Sequence, residues 1–169
     1  MIIYLTTHSG DPISWAIRKF TNSKVSHTAL KDPERDIVLH ATASGLHFTY
    51  LKKFLKSDKI VYKFKIKDTR IIKPYLKMMK LLERSYDFGA ILGFIPFLFA
   101  KKYGFKLPNY FGSKSYLFCS ETFYVFLKYC VKEGIMDKKI LKGYKRELFS
   151  PEDAYQLMKK FPEYFEDLS

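Results

Sequence analysis

The hydrophobic period of this sequence changes twice along the chain, and this change constrains the fold more than any other feature. An apolar strand candidate at residues 2–5 precedes a helical pattern that starts at Asp11-Pro12, where Asp can cap a helix and Pro suits its first position. From residue 25 to 66 the pattern is that of short strands, and from Thr69 it is helical again. This order predicts an α+β domain in which an antiparallel sheet is followed by several helices.

Turn signals divide the middle of the chain into short strand candidates, at residues 25–30, 37–41 and 46–50. A fourth candidate has the period of two that is typical of a strand, with an apolar face and a cationic face: Ile60, Tyr62, Phe64 and Ile66 alternate with Val61, Lys63, Lys65 and Lys67. We expect these segments to pair as antiparallel strands of one sheet.

The second half of the sequence has mainly helical patterns. After Thr69, apolar residues recur on one stripe formed by Ile72, Tyr75, Leu76, Met79 and Leu82. The apolar stretch 88–100 is shorter than the roughly 20 residues of a membrane-spanning helix, and residues 101–115 have the Gly and Pro content of a long loop. A final helix is predicted from Ser150-Pro151, where Ser caps the helix and Pro occupies its first position.

The composition is that of one globular domain, which we expect to span residues 1–169. Hydrophobic residues make up 47% of the chain and aromatic residues 18%, which is enough apolar surface to form a core. The N-terminus lacks the basic region, long apolar segment and cleavage site of a secretory signal, and the two cysteines are too few for a disulfide framework. We therefore expect a cytoplasmic protein.

The formal net charge of +13 has two interpretations. A composition rich in Lys, Ile, Phe and Tyr is typical of an AT-rich genome, whereas a basic surface is typical of proteins that bind nucleic acid or anionic lipid. The lysines available for such a surface are Lys52, Lys53, Lys56, Lys59, Lys63, Lys65 and Lys67. The sequence has no RRM, KH, helix-turn-helix or zinc-finger signature. A basic, non-enzymatic binding module, with peripheral contact to a membrane, stays open as the alternative to an enzyme.

Cys119 lies in the first turn of a predicted helix that begins near Leu117 and ends at Gly134. Free backbone N–H groups and the helix dipole stabilise a thiolate at this position, which lowers the pKa of the thiol and makes it nucleophilic. Cys130 lies deeper on the apolar stripe of the same helix, and we expect it to be a buried structural residue. The spacing of the two cysteines does not fit a zinc site.

His27 and His40 are candidates for the imidazole that a thiolate nucleophile needs as its acid and base. They lie on neighbouring strand candidates with one turn between them, so antiparallel pairing brings the two rings together. The spacing alone leaves a structural role open for both. His8 and His47 fit no specific role, and the four histidines lack the ligand spacing of a zinc site, so we expect neither a metal nor another cofactor.

Two short motifs surround the histidines: Ser-His-Thr-Ala-Leu at residues 26–30, and Ile-Val-Leu-His-Ala at residues 37–41 followed by Gly45. They resemble the strand pair SHxGI and hIHA, followed by Gly, of the NlpC-type cysteine peptidases of bacterial cell walls. In those enzymes the first His is the base and the second is the polar residue that orients it. One departure is Thr28-Ala29, where the family usually has Val-Gly.

The order of the motifs differs from that of most NlpC-type enzymes, because Cys119 follows the strand pair instead of preceding it. This order, with Phe-Cys-Ser-Glu at 118–121, Tyr-Asp-Phe at 86–88 and Ser-Pro-Glu-Asp at 150–153, resembles the circularly permuted branch of the family. That branch includes the YiiX-like proteins, related poxvirus proteins and lecithin retinol acyltransferase. The resemblance implies a permuted papain-like fold, in which the nucleophile helix packs on an antiparallel sheet.

The resemblance also implies a Cys-His-His triad, with Cys119 as nucleophile, His27 as base and His40 as the orienting residue. The implied activity is that of a thiol hydrolase or acyltransferase, which forms an acyl-enzyme from an amide or ester bond. A peptide, a cell-wall amide or a lipid acyl group would be its substrate. Tyr86 is a further candidate, for contact with the oxyanion or the substrate, and core packing stays open for it.

Overall fold

The computed structural model describes residues 1–42, 45–82 and 119–169 of the chain. Its strands are β1 (Ile2–Thr7), β2 (His27–Lys31), β3 (Ile37–Thr42), β4 (Gly45–Tyr50), β5 (Lys59–Ile66) and β6 (Phe165–Asp167). They form a six-stranded sheet in the order β4-β3-β2-β1-β5-β6, and every neighbouring pair is antiparallel. The predicted α+β class is therefore confirmed.

The α-helices in the described residues are α1 (Pro12–Thr21), α2 (Leu51–Ser57), α3 (Ile72–Met79), α4 (Cys119–Lys132) and α5 (Pro151–Lys160). Short 3-10 turns lie at Thr69–Ile71, Lys138–Leu141 and Arg146–Leu148. In this part of the chain, no helix combines the length and the apolar character that crossing a membrane requires.

The capping residues predicted for α1 and α5 form the expected hydrogen bonds. The Asp11 carboxylate accepts from the backbone N–H groups of Ile13 and Ser14 at 3.2 and 3.1 Å. At α5, Ser150 and Asp153 form a capping box, in which each side chain accepts from the backbone N–H of the other residue. Each such cap contributes about 1 kcal/mol, so local sequence fixes where these two helices begin.

Two elements were not predicted, the helix α2 and the strand β6. Helix α2 has seven residues, and no side chain caps its N-terminus. Its sequence therefore carries too little periodic signal to be distinguished from a loop. Strand β6 has three residues and exists through its pairing with the end of β5, a contact between distant parts of the chain.

The buried stripe of α3 differs from the prediction. Tyr75 is buried as expected, but Ile72 and Leu76 are 39% and 53% exposed, while Ile71 and Met78 are buried instead. The 3-10 turn at Thr69–Ile71 precedes the helix and turns Ile71, rather than Ile72, towards the core. Periodicity alone does not locate such a change of helical pitch.

Strand β5 also departs from its predicted alternation. Tyr62, Phe64 and Ile66 pack in the main core as expected, but Ile60 packs in a smaller cluster with Tyr4 and Phe54. The register between β1 and β5 shifts at Leu5/Thr6, and a shift of one residue moves later side chains to the other face.

The sheet separates two clusters of buried side chains. The main core lies between one face and helices α3, α4 and α5, and includes Leu5, Leu30, Leu39, Phe64, Met78, Phe126, Leu127 and Leu157. Burying each such side chain contributes roughly 1.5–3 kcal/mol, so this cluster holds α4 against the sheet. The smaller cluster on the other face consists of Tyr4, Ala29, Val38 and Phe54. Because side chains alternate along a strand, His27 shares this second face with Ala29, and His40 shares it with Val38.

Candidate active site

Cys119 is the first residue of α4, and the buried side chains of that helix set its position. Its sulfur lies 3.9 Å from the carbonyl oxygen of Ser26, the residue immediately before β2. The Cys119 side chain is partly exposed, whereas Cys130, further along α4, is completely buried. Both cysteines are free thiols. The nucleophile candidate therefore lies where the start of α4 meets the start of β2.

His27, the first residue of β2, lies between the other two members of the predicted triad. Its ring lies close enough to the Cys119 sulfur for each group to shift the pKa of the other. Its Nε2 atom is 3.1 Å from Nδ1 of His40. Since Nε2 faces His40, Nδ1 is the ring atom available to the sulfur. The structure thus brings together Cys119, His27 and His40.

His40 has a second partner, Thr49, which the sequence analysis did not identify. The Nε2 atom of His40 is 3.0 Å from the Thr49 hydroxyl oxygen. When Nδ1 of His40 accepts from a protonated His27, the proton of His40 must be on Nε2, which then donates to Thr49. The Thr49 hydroxyl can accept that hydrogen bond, so it is compatible with the tautomer of His40 that accepts from His27.

The charges of Cys119 and His27 support each other. Burial of the Cys119 sulfur favours the neutral thiol, but the His27 charge and hydrogen bond, with the backbone N–H groups of Thr28 and Ser120, outweigh it and lower the pKa of Cys119. Burial likewise favours neutral His27, but the charge of Cys119 and its hydrogen bond outweigh this effect and raise the pKa of His27. Both shifts favour a thiolate-imidazolium pair.

His40 stays neutral beside this pair. Burial lowers the pKa of His40 to about 3, and the positive charges of His27 and His47 act in the same direction. A neutral imidazole with a free lone pair on Nδ1 is an acceptor for His27 and does not compete with it for the proton. His40 is thus placed to accept a hydrogen bond from protonated His27.

Aromatic and polar side chains enclose the two rings. The Phe54 ring centroid lies 6.3 Å from that of His27 and 5.1 Å from that of His40, and the His47 centroid is 4.8 Å from that of His40. His47, directly opposite His40 in the β3–β4 ladder, thus lies beside the site although the sequence suggested no role for it. Locating Thr49 and His47 from sequence would have required the register of β3 and β4.

Helix α1 and the loop before it support the backbone beside Cys119. The hydroxyl oxygens of Ser14 and Ser26 are 2.6 Å apart, and both residues are buried. The backbone N–H of His8 donates to the Ser14 hydroxyl at 3.2 Å. The His8 ring itself lies against the Ser9 carbonyl and is exposed, so His8 contributes its backbone here.

Several predicted features lie outside the described residues: Tyr86, the apolar stretch 88–100 and the loop 101–115. Lys52, Lys53, Lys56 and Lys59 are exposed on α2 and at the start of β5. By contrast, Lys65 pairs with Glu166, and Lys67 donates to the Pro162 carbonyl. Over the parts of the chain that the structure describes, no three His, Cys, Asp or Glu side chains form a cluster suited to a metal ion.

Comparison with known proteins gives no match for this sequence, either to a protein-family model or to a curated protein.

Proposed function

We propose that the protein is a thiol hydrolase or acyltransferase that acts on an amide or ester bond through Cys119, His27 and His40. The observation that carries this proposal is the position of His27. It interacts with Cys119 at the start of α4, and its Nε2 atom lies 3.1 Å from neutral His40. A buried structural cysteine needs none of these partners, and Cys130 has none of them. Its pKa is raised to about 12 by burial.

In the proposed reaction, the Cys119 thiolate attacks the carbonyl carbon of the substrate and forms a tetrahedral intermediate. His27 donates its proton to the leaving amine or alkoxide as the bond to that group breaks, which leaves a thioester on Cys119 and a neutral imidazole. His27 then takes a proton from water or from an acceptor hydroxyl, which attacks the thioester. Release of the acid or the new ester regenerates the thiolate and the imidazolium.

The resemblance to the permuted NlpC-type branch supports the same proposal. The strand pair with the two histidines precedes α4 in the chain, and α4 packs on the sheet that contains them. This is the arrangement that a permuted papain-like fold requires. Within that branch the substrate is a peptide, a cell-wall amide or a lipid acyl group, and these remain the substrate classes to be screened.

Selective alkylation tests whether Cys119 is an activated thiol. Iodoacetamide is expected to modify Cys119 at a lower pH than a free cysteine needs, because the pKa of Cys119 is lowered. Cys130 is expected to stay unmodified in the folded protein, because it is completely buried. Mass spectrometry of peptides after a short reaction over a range of pH measures both rates. Equal modification of the two cysteines would contradict an activated thiolate.

The orienting role of His40 can be separated from a packing role. His40→Gln is expected to reduce kcat by about 10-fold to 100-fold at little change in KM, because a flexible amide replaces the fixed ring nitrogen that accepts from His27, while Cys119 remains. His40→Ala is expected to reduce kcat further than His40→Gln, since Gln retains a hydrogen-bonding group. Turnover is measured per folded molecule, with folding checked by circular dichroism. Full activity of folded His40→Ala would reduce the site to Cys119 and His27.

The exposed lysines of α2 keep a second function open, that of a basic binding module. This function predicts binding to anionic polymers or vesicles with a steep salt dependence. Such binding would be unchanged in Cys119→Ala, whereas catalysis would be lost.

A further inference from the structure

Asp58 is a buried acidic residue that the proposed triad does not use. It lies at the junction of α2 and β5, where its backbone N–H donates to the Phe54 carbonyl. Its carboxylate accepts hydrogen bonds from the hydroxyl groups of Thr6, at 2.8 Å, and Ser57, at 2.9 Å. Asp58 is only 9% exposed. Within the described residues, no Lys or Arg forms an ion pair with it.

Thr6 connects Asp58 to the triad. It is completely buried and lies directly opposite His27 in the β1–β2 ladder. Because directly opposite residues project from the same face of a sheet, the Thr6 hydroxyl and the His27 ring are neighbours. The register shift at Leu5/Thr6 pairs Thr6 with Ile60 on its other side, close to Asp58. Thr6 thus stands between the His27 ring and the Asp58 carboxylate, and its hydroxyl holds the carboxylate in place.

A buried carboxylate is costly unless hydrogen bonds or an opposite charge compensate it. The hydroxyls of Thr6 and Ser57 supply two hydrogen bonds but no positive charge. The imidazolium of His27 is the cation that the strand register places next to this carboxylate. The negative charge of Asp58 in turn favours that imidazolium and adds to the effect of Cys119 in raising the pKa of His27.

We propose that Asp58 is a positioning residue of the site, whose fixed negative charge keeps His27 protonated until the leaving group departs. This inference rests on the proposed thiol chemistry. When the Cys119 thiolate attacks, its charge moves to the carbonyl oxygen and no longer supports the imidazolium. The Asp58 carboxylate does not react, so its support for the proton on His27 persists through the tetrahedral intermediate.

The described groups that face His27 come from four sides. Helix α4 contributes Cys119, β3 contributes neutral His40, and the α2–β5 junction contributes Asp58. The β1 side contributes the uncharged Thr6. Removing Cys119 therefore leaves Asp58 as the one negative group acting on His27 among these partners, and its effect can then be measured alone.

The experiment is an NMR titration of the His27 ring in the full chain carrying Cys119→Ala, with the signal assigned through His27→Gln. Adding Asp58→Asn removes the charge and retains an oxygen acceptor for Thr6. It is expected to lower the pKa of His27 by about one unit. Asp32→Asn is the matched control, since Asp32 is also 9% exposed but lies at the opposite end of β2. It is expected to leave the His27 titration unchanged.

A fall in the His27 pKa with Asp58→Asn, but not with Asp32→Asn, supports the proposal. An unchanged His27 pKa, or an equal fall in both variants, overturns it. If Asp58→Asn does not fold, Asp58→Ser removes the same charge and is titrated instead. The titration needs no substrate, so an unchanged His27 pKa would overturn the role of Asp58 without contradicting the proposed hydrolase function. Conversely, a protein that is inactive on every substrate would contradict the hydrolase function without changing the titration result.

Discussion

Replacing Cys119 with alanine is expected to reduce turnover at least about 1000-fold on any amide or ester that the wild-type protein cleaves. No other described side chain of the site can form the thioester, since His27 and His40 act only on protons in this reaction. The measurement is the initial rate on a panel of peptide, cell-wall amide and acyl-ester substrates, with wild-type protein at equal concentration.

Cys130→Ala is the matched control for this substitution. It also removes a cysteine sulfur from α4, but at a position three turns further along the helix, where the side chain is completely buried. It is expected to lower the free energy of unfolding by about 1–2 kcal/mol and to leave turnover per folded molecule unchanged. If Cys119→Ala retains activity comparable to that of Cys130→Ala, the nucleophile is not Cys119 and the proposed mechanism is wrong.

Local signals in the sequence marked Cys119, His27 and His40 as candidates, and the resemblance to the NlpC-type enzymes implied that they form a triad. Cys119 followed from the start of a helical pattern, and His27 and His40 followed from two strand candidates joined by one turn. These signals require only the secondary structure and the pairing of adjacent strands. In the structure, His27 lies between the other two residues, with its Nε2 atom 3.1 Å from Nδ1 of His40 and its ring close to Cys119.

The residues that support the triad were not predicted, because their positions depend on strand register. Thr49 reaches His40 through the pairing of β3 with β4. Thr6 and Asp58 reach His27 through the β1–β2 register and the irregular β1–β5 register. A shift of one residue in any of these three ladders would turn the side chains concerned to the other face of the sheet. The hydrophobic pattern indicates which face of a strand is buried, but it does not show which residues of two strands lie opposite each other or where the pairing is irregular.

The same limit explains the differences in the fold. Helices α1 and α5 have capping residues that mark where they begin, and the structure has both at the predicted positions. Helix α2 has no such cap, and it carries Phe54, which packs against both histidine rings. Helix α2 therefore encloses the site, although the sequence contains no capping signal that marks where this helix begins.

His27→Ala is expected to reduce turnover by about 1000-fold or more, since it removes both the acid that protonates the leaving group and the counter-charge of the thiolate. The two losses have different signatures. Without the imidazolium, burial of Cys119 favours the thiol, so the pKa of Cys119 rises and the pH midpoint of its alkylation moves upward. Added imidazole is expected to restore part of the turnover, because it can occupy the space left by the ring.

The pH profile separates this acid-base role from a structural role of His27. Loss of packing alone would reduce the amount of folded protein, but it would leave the alkylation midpoint of the remaining folded protein where it was. The measurement is the rate of iodoacetamide modification of Cys119 from about pH 4 to pH 10 in wild-type, His27→Ala and His47→Ala proteins. His47 is a control histidine from the same face, since its ring packs on His40 rather than on Cys119. An alkylation midpoint that His27→Ala leaves in place would show that the Cys119 thiolate does not depend on His27, and the ion pair at the centre of the mechanism would have to be abandoned.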